Sequence, residues 1–286
     1  MAKKQHVLLA ERGGVDLKVG SVFFIGTATT LLRYAGFTIL TDPNFLHQGE
    51  QAKLGYGLRS TRQTNPAIPI DELPPLDLVL LSHMHGDHWD HVASERLDQR
   101  LPIITTRSAA AALRGEGFRE THGLKTWQSY IFRKGDVTLR ITAMPGKHGP
   151  GVIARLLPPV MGSLLEFEGA DGTRLLRIYI TGDTLIYNQL KEIPKRYPEI
   201  DLALLHLGGT RVMGILVTMD AEQGVKMLQL IDPTIAIPIH FNDYTVFKSP
   251  LEDFQSAVKA AGLERQVRYV AAGERYRFEV PRKRRG

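Results

Sequence analysis

The sequence contains no cysteine. That excludes disulfides and thiolate ligands, so any metal site in this chain has to be built from His, Asp, Glu and water. It also removes cysteine nucleophiles, and no G-x-S-x-G elbow supplies a serine in their place, which counts against covalent catalysis. No stretch approaches the roughly 20 consecutive apolar residues needed to cross a bilayer. The start, Met1-Ala2-Lys3-Lys4-Gln5-His6, leads through a short apolar run to Glu11-Arg12, which is not the pattern of a signal peptide. A cytoplasmic location is the expectation. Concentrated charge of one sign is also lacking. The net +6 comes partly from the tail Arg282-Lys283-Arg284-Arg285 and is otherwise spread out, without a nucleic-acid-binding stripe. Internal repeats and low-complexity segments are absent too.

What is present suits an ordinary globular protein: 286 residues, 43% hydrophobic and 23% charged. A single domain over residues 1–286 is expected, with its core at about 20–280, a loop insertion at 44–75 and a basic tail at 281–286. Apolar runs bounded by turn residues predict strands at 22–25, 29–34 and 37–41, and again at 77–82, 103–105, 127–133 and 136–143. Further strands are expected at 162–168, 174–181, 201–206, 235–239, 267–270 and 275–280. Helices are expected at about 90–98, 108–114, 185–191, 220–230 and 250–261. Residues 44–75 are polar, rich in Gly, Gln, Arg and Pro, and show no sustained period. A loop of that length is usually functional, so it is expected near a site mouth. The alternation of strands and helices predicts an α/β fold with two mixed sheets packed face to face and helices outside, a four-layer αββα sandwich.

The densest chemistry lies in Leu81-Ser82-His83-Met84-His85-Gly86-Asp87-His88, directly after an apolar strand. In extended chain His83 and His85 project to the same side. A turn at Gly86 brings Asp87 and His88 to a second point a few ångströms away, which suits two adjacent metal ions with nitrogen and oxygen ligands. Three more apolar strands end in, or lead to, a ligand-type residue: Ile141–Pro145 before His148, Arg177–Thr181 before Gly182-Asp183-Thr184, and Ile235–Ile239 before His240. Singly each is a weak signal; in this order, after the first motif, they are strong.

With these residues in view, the chain resembles the metallo-β-lactamase-fold hydrolase superfamily over roughly residues 20–280. The resemblance implies a first metal held by His83, His85 and His148, a second held by Asp87, His88 and His240, and Asp183 bridging the two. Zinc is the expected metal, with manganese or iron compatible with the same ligands. Two close dications repel, so a bridging carboxylate and a bridging hydroxide are needed between them, and the hydroxide is the implied nucleophile. Asp87 and Asp183 then serve as catalytic carboxylates. His206, after an apolar strand, is either a proton donor to the leaving group or a hydrogen-bonded buried histidine.

The flanks Phe24-Ile25-Gly26-Thr27-Ala28-Thr29, Leu40-Thr41-Asp42-Pro43, Leu207-Gly208-Gly209 and Met219-Asp220-Ala221-Glu222-Gln223 are similar to one branch of that superfamily. It contains N-acyl-phosphatidylethanolamine-hydrolysing phospholipase D and ascorbate-6-phosphate lactonase-like proteins. The implied activity is cleavage of a phosphodiester or a lactone/carboxyl ester in a small or lipid-like substrate. A nuclease of the same fold, or an iron redox enzyme or metal-binding regulator, are the alternatives. A nucleic-acid partner is not expected, and self-association stays open. One departure is visible: Thr27 stands where relatives commonly carry His.

Other residues have two readings each. Asp42 either orients a ligand imidazole or forms an Asp-Pro turn. Asp90 reads as a helix cap and His91 as surface. Tyr56, Arg59 and Arg62 either recognise an anionic group or belong to a solvated loop. Asn242, Tyr244 and Lys248 are expected near the mouth, His6, His47 and His122 in solvent, and Trp89 and Trp127 in packing.

Overall fold

A computed structural model describes residues 6–9, 15–55 and 57–280. Tyr56, the His6 side chain and the basic tail at 281–286 lie outside the described residues. In chain order the strands begin with β1 (His6–Leu8), β2 (Val19–Gly26), β3 (Thr29–Tyr34), β4 (Phe37–Thr41), β5 (Gln51–Gly55), β6 (Leu58–Thr61) and β7 (Leu78–Leu80). Helix α1 (His91–Arg96) precedes β8 (Ile103–Thr106), and α2 (Arg107–Gly115) precedes β9 (Thr121–Leu124), β10 (Ser129–Lys134) and β11 (Val137–Met144). Then come α3 (Ile153–Leu156), β12 (Gly162–Glu168), β13 (Arg174–Ile180), α4 (Glu192–Arg196), β14 (Leu202–His206), β15 (Arg211–Val212) and β16 (Ile215–Leu216). The chain closes with α5 (Ala221–Ile231), β17 (Ile235–Ile239), α6 (Leu251–Ala260) and β18 (Arg275–Glu279).

Two seven-stranded sheets form the body, in the orders β18-β2-β3-β4-β7-β8-β9 and β1-β10-β11-β12-β13-β14-β17. Each is antiparallel in part and parallel where βα units feed it. The terminal strands are exchanged: β1 lies parallel to β10 in the second sheet, and β18 returns to pair with β2 in the first. Between the sheets Val22, Phe24, Leu32 and Ile39 meet Phe132, Leu139, Leu165 and Phe167 in one core. Outside the first sheet, Trp89, Ala93, Leu97, Ala109 and Leu113 of the α1/α2 region cover Ile25, Leu31, Leu40 and Val79. Outside the second, Met227, Leu228, Phe254 and Val258 of α5 and α6 cover Tyr179, Ala203 and Leu205. Strands covered on both faces have no polar side, so they read in the sequence as continuous apolar runs rather than alternating ones. The expected αββα sandwich is the observed architecture.

Three local expectations are corrected. Residues 185–191 form no α-helix: a 3₁₀ turn at Asn188–Lys191 leads into α4. Pro194 lies in the first turn of α4, where a missing N–H costs nothing, so the helix begins late. Residues 267–270 pair only through a Val267–Ala236 bridge. The 44–75 segment contains the β5–β6 hairpin, whose Ala52 and Leu54 face inward between exposed neighbours.

The hairpin lies on the metal-ligand motif. Gly86 N–H donates to Lys53 O at 2.9 Å. A Cβ on Gly86 would stand 2.5 Å from Lys53 N and 2.8 Å from Lys53 O, so no side chain fits. Gly86→Ala is therefore expected to lift the hairpin and lower stability by about 1–3 kcal/mol, read as a depressed thermal midpoint. An unchanged midpoint would mean that the hairpin is not seated there.

Candidate metal centre

Strand ends supply the site. β7 stops at Leu80, and the chain runs extended through His83 and His85 before a tight turn in which His88 N–H and Trp89 N–H both donate to His85 O. Asp90 caps α1 through Ala93 N–H at 2.8 Å and also accepts from Phe45, Leu46 and Asn44, so its capping role holds. His91 is exposed. β11 leads to His148, β13 to Asp183 and β17 to His240, so both sheets contribute.

The structure brings the seven expected ligands together. His83 Nε2 lies 3.0 Å from His85 Nδ1, which lies 3.3 Å from His148 Nε2. Nitrogens about 2.0–2.1 Å from a tetrahedral zinc are about 3.3 Å apart, so this spacing fits one ion. A few ångströms on, His240 Nε2 is 3.4 Å and His88 Nε2 3.9 Å from Asp87 Oδ2. Asp183 Oδ1 is 3.5 Å from His88 Nε2 and 3.6 Å from His240 Nε2, and the carboxylate also groups with His83. Five of these side chains hold a buried atom with no hydrogen-bond partner: His85 Nε2, Asp87 Oδ1, His88 Nε2, Asp183 Oδ1 and His240 Nε2. So many orphans in one place are costly unless something binds there. His/Asp donors with no thiolate suit zinc, manganese or iron.

The opposite ring nitrogens are fixed from behind. His148 Nδ1 donates to Val217 O at 2.9 Å and His240 Nδ1 to Leu207 O at 3.0 Å, leaving each Nε2 free as a ligand. His83 Nδ1 meets Ser82 Oγ at 2.9 Å. His88 Nδ1 faces Asp42 Oδ2 at 3.2 Å, so Asp42 orients an imidazole rather than merely making a turn. Thr218 donates its hydroxyl to Asp183 Oδ2 at 2.8 Å and turns the other oxygen inward. Sequence reasoning missed Thr218 and Ser82, which carry no pattern of their own.

His206 is corrected. It is fully buried, its Nε2 lies 3.2 Å from Asp42 Oδ2 and its Nδ1 3.3 Å from Thr181 Oγ1. Its ring stacks behind that of His88 at 5.8 Å. With both nitrogens engaged and no opening, it has no proton to offer a leaving group. Arg62 and Tyr244 are corrected as well, since both are buried. Arg62 donates to Asn44 Oδ1 and lies over the Tyr244 ring, while the Tyr244 hydroxyl donates to the same oxygen. Asn44 in turn donates to Gly86 O at 2.8 Å, so this cluster braces the motif turn. Arg59, Asn242 and Lys248 are exposed, as is His47, whereas His122 is half-buried and stacked on Tyr130. Trp89 packs edge-on against Phe118, and Arg196 lies over Trp127.

Backbone strain collects here. Thr27, Asp42, His240 and Asn242 have φ of 53°, 36°, 63° and 59°. For a β-branched threonine that conformation is costly and persists only when surroundings enforce it. Thr27 N–H donates to Asp243 Oδ2 at 2.6 Å, and His240 N–H donates to Thr27 O at 2.5 Å, which pins the two segments together. Gly208 has φ 89°, and a Cβ there would meet His240 O at 2.6 Å.

Electrostatics divide the site. Burial holds His83 well below the usual imidazole range, His85 down to about 3, and His148 below its ordinary value, so these three are neutral. Burial opposes a charge on His88 and His240 too, but Asp183 and Asp87 outweigh it, with Asp42 adding to His88, and both are raised. A raised imidazole keeps its proton near neutral pH and must release it to accept a cation, whereas a lowered one has none to release. Filling the Asp87/His88/His240 subsite near pH 7 should therefore expel roughly one to two protons, and filling the three-histidine subsite none. Metal titrations by calorimetry in buffers of different ionisation enthalpy measure this; equal release at both steps would contradict it.

Known proteins resemble this chain in sequence and in fold. The family model described as "Beta-lactamase superfamily domain" matches residues 38–241. A metal-dependent hydrolase of the UPF0173 family from Archaeoglobus fulgidus is 30% identical over 222 residues, covering 75% of this chain and 87% of that protein. The chain belongs to this family of metal-dependent hydrolases. Its fold is shared with the isothiocyanate hydrolase from Delia radicum gut bacteria, at TM-score 0.77 and 23% identity over 91% of this chain and all of that one. It is also shared with a diiron β-hydroxylase from Streptomyces venezuelae, at TM-score 0.66 and 14% identity, covering 94% of this chain and 55% of that one. The curated relative is named for metal-dependent hydrolysis alone, with neither bond nor substrate. Among the described residues no helix is long and apolar enough to cross a membrane.

Proposed function

We propose that this hydrolase cleaves an ester-type bond, a phosphodiester or a lactone/carboxyl ester, with two divalent ions. His83, His85 and His148 would hold one, Asp87, His88 and His240 the other, and Asp183 would reach both. The observation that carries this reading is the convergence from both sheets of four buried ligand atoms without a hydrogen bond, Asp87 Oδ1, His88 Nε2, Asp183 Oδ1 and His240 Nε2, beside the three-nitrogen group of His83, His85 and His148. When bound, the ions supply Lewis acidity: they make water nucleophilic near neutral pH and offset charge developing on the scissile group. The chain's own part is to fix that arrangement. Val217 O and Leu207 O set two tautomers, Asp42 a third, and Thr218 aims Asp183. Burial keeps competing water from the ligands; His85 and His148, 6% and 4% exposed, are the most open of the seven and mark the side of approach. A cleft of about 420 Å³ lined by Leu46, Ala52, Met84, His85, Trp89 and Glu116 lies there and would take the non-reacting part of a substrate.

Resemblance of the flanks to the phospholipase D and lactonase branch supports an ester over other bonds. Fold alone does not decide the chemistry, since it is shared with a diiron hydroxylase. The test is a panel of p-nitrophenyl phosphodiesters, phosphomonoesters, carboxyl esters and lactones, run with zinc and with manganese. Metal-dependent turnover of a phosphodiester or of a carboxyl ester or lactone is expected. A single bound iron with oxygen consumption, or no metal-dependent turnover in any arm, would overturn the proposal.

A further inference from the structure

We propose that the outer face of the β18–β2–β3 corner is a second binding site, for a phosphate-type dianion, formed by Arg33, Arg275 and Arg277 around the hydroxyl of Ser21. Register puts Arg277 directly opposite Ser21 on β2, and Ser21 directly opposite Arg33 on β3. Residues paired in this way project from the same face of a sheet, and Arg275, two residues before Arg277, shares that face. It is the face turned away from the inter-sheet core, because Val22 and Leu32 on the alternate positions belong to that core. Arg275 Nη1 donates to Ser21 Oγ at 3.3 Å and its guanidinium lies 5.1 Å from the Phe23 ring centre, which orients it. Three arginines thus line one groove with Ser21, whose hydroxyl Arg275 reaches and which keeps its own proton to donate.

Such a cluster is normally neutralised by carboxylates, and among the described residues it is not. Among the described residues no ion pair joins Arg33, Arg275 or Arg277 to an acid, and Arg33 Nε is buried without a partner. Asp16, which also lines the groove, accepts from Lys18 N–H and Val19 N–H at 2.7 and 3.3 Å, both through Oδ1. Glu279 faces the same side one pair further along, opposite Val19. Burial and the charges of Arg33 and Arg277 lower the pKa of Arg275, which is what mutual repulsion does. The groove between them, about 670 Å³ and bordered by Tyr34, Gly36 and Thr38, is open to solvent. Forked guanidinium donors match a tetrahedral oxyanion, and a dianion would relieve the repulsion. The position is distinct from the metal centre: Thr29 and Asp42 lie at the site end of β3 and β4, and Arg33 stands four residues beyond Thr29, about 13 Å along the strand.

The test uses metal-loaded full-length protein titrated with inorganic phosphate, against chloride at equal ionic strength, and with phosphatidylcholine vesicles with and without phosphatidate. Phosphate is expected to raise the thermal midpoint and to bind at a site that His85→Ala retains. The Arg33→Gln/Arg277→Gln variant should bind at least about tenfold more weakly with hydrolysis unchanged, and Arg277→Lys should fall between. Binding to free phosphate identifies a soluble ligand; arginine-dependent binding to phosphatidate vesicles alone identifies a lipid headgroup. A midpoint shift no larger than that with chloride, without vesicle binding, or binding that survives the double substitution, overturns the proposal.

Discussion

Replacing His85 by alanine is expected to lower hydrolysis by on the order of a thousandfold or more while leaving the fold intact. His85 Nδ1 is the middle member of the three-nitrogen group, within 3.0 Å of one neighbour and 3.3 Å of the other. Without it the subsite keeps His83 and His148 with only the shared Asp183 beside them, one ligand short of the set that would hold the ion. Stability should respond differently, because His85 Nε2 is buried without any protein partner. Removing a group that is poorly satisfied in the metal-free fold costs little, so the metal-free midpoint should stay level or rise. Elemental analysis should show loss of metal in parallel with loss of turnover on the best ester of the panel. Activity surviving undiminished would contradict the ligand assignment.

Asp42→Asn is expected to weaken metal binding by roughly 10–100-fold without touching a ligand. Asp42 Oδ1 accepts from Ser82 N–H at 2.6 Å, and Oδ2 faces both His88 Nδ1 and His206 Nε2 at 3.2 Å. An amide can preserve one of these edges but must present N–H₂ where two ring N–H groups expect an acceptor. His88 would then have to turn or change tautomer, losing its set orientation toward the ion. Asp42→Ala goes further and leaves three buried donors unmatched, each costing about 1–3 kcal/mol. The carboxyl is also sensitive to acid. Burial opposes its charge, but His88 and His206 hold it down to about 2 against an ordinary 3.8. A lowered carboxylate contributes stability above its unfolded value, so that share should disappear as pH falls from about 4 toward 2. Equal metal affinity in wild type and Asp42→Asn would show that His88 needs no brace.

The proposed metal ligands were legible because they stand where an apolar strand runs out, and a His or Asp in that place breaks a pattern that is otherwise purely hydrophobic. Apart from Asp42, their partners were not. Val217 and Leu207 act through carbonyl oxygens, which any residue supplies, and Thr218 approaches Asp183 from a distant segment. The β5–β6 hairpin escaped because its inward residues are few and one is only alanine. The flanking motifs that carried the family resemblance also turn out to be braces. Gly26 leaves room for the Arg62 guanidinium, which would lie 2.9 Å from a Cβ. Asp220 caps α5, and Gln223 accepts from Ile186 N–H at 2.8 Å. Motifs of this kind identify a scaffold and stay silent on the bond cleaved.

The exchange of terminal strands has a consequence for how the molecule is made. β2 (Val19–Gly26) is synthesised long before its outer neighbour β18 (Arg275–Glu279). Until then the first sheet keeps an unsatisfied backbone edge, the kind that recruits other chains. Completing it requires a closure spanning almost the whole sequence, which places folding among the slow, high-contact-order cases. The four-residue part of the metal site in the His83–His88 motif exists long before His148, Asp183 and His240 do. An ion captured early would be held by an incomplete set, so correct loading belongs to the finished fold. Shortening the chain before β18 would then do its damage through aggregation, with every metal ligand still in place.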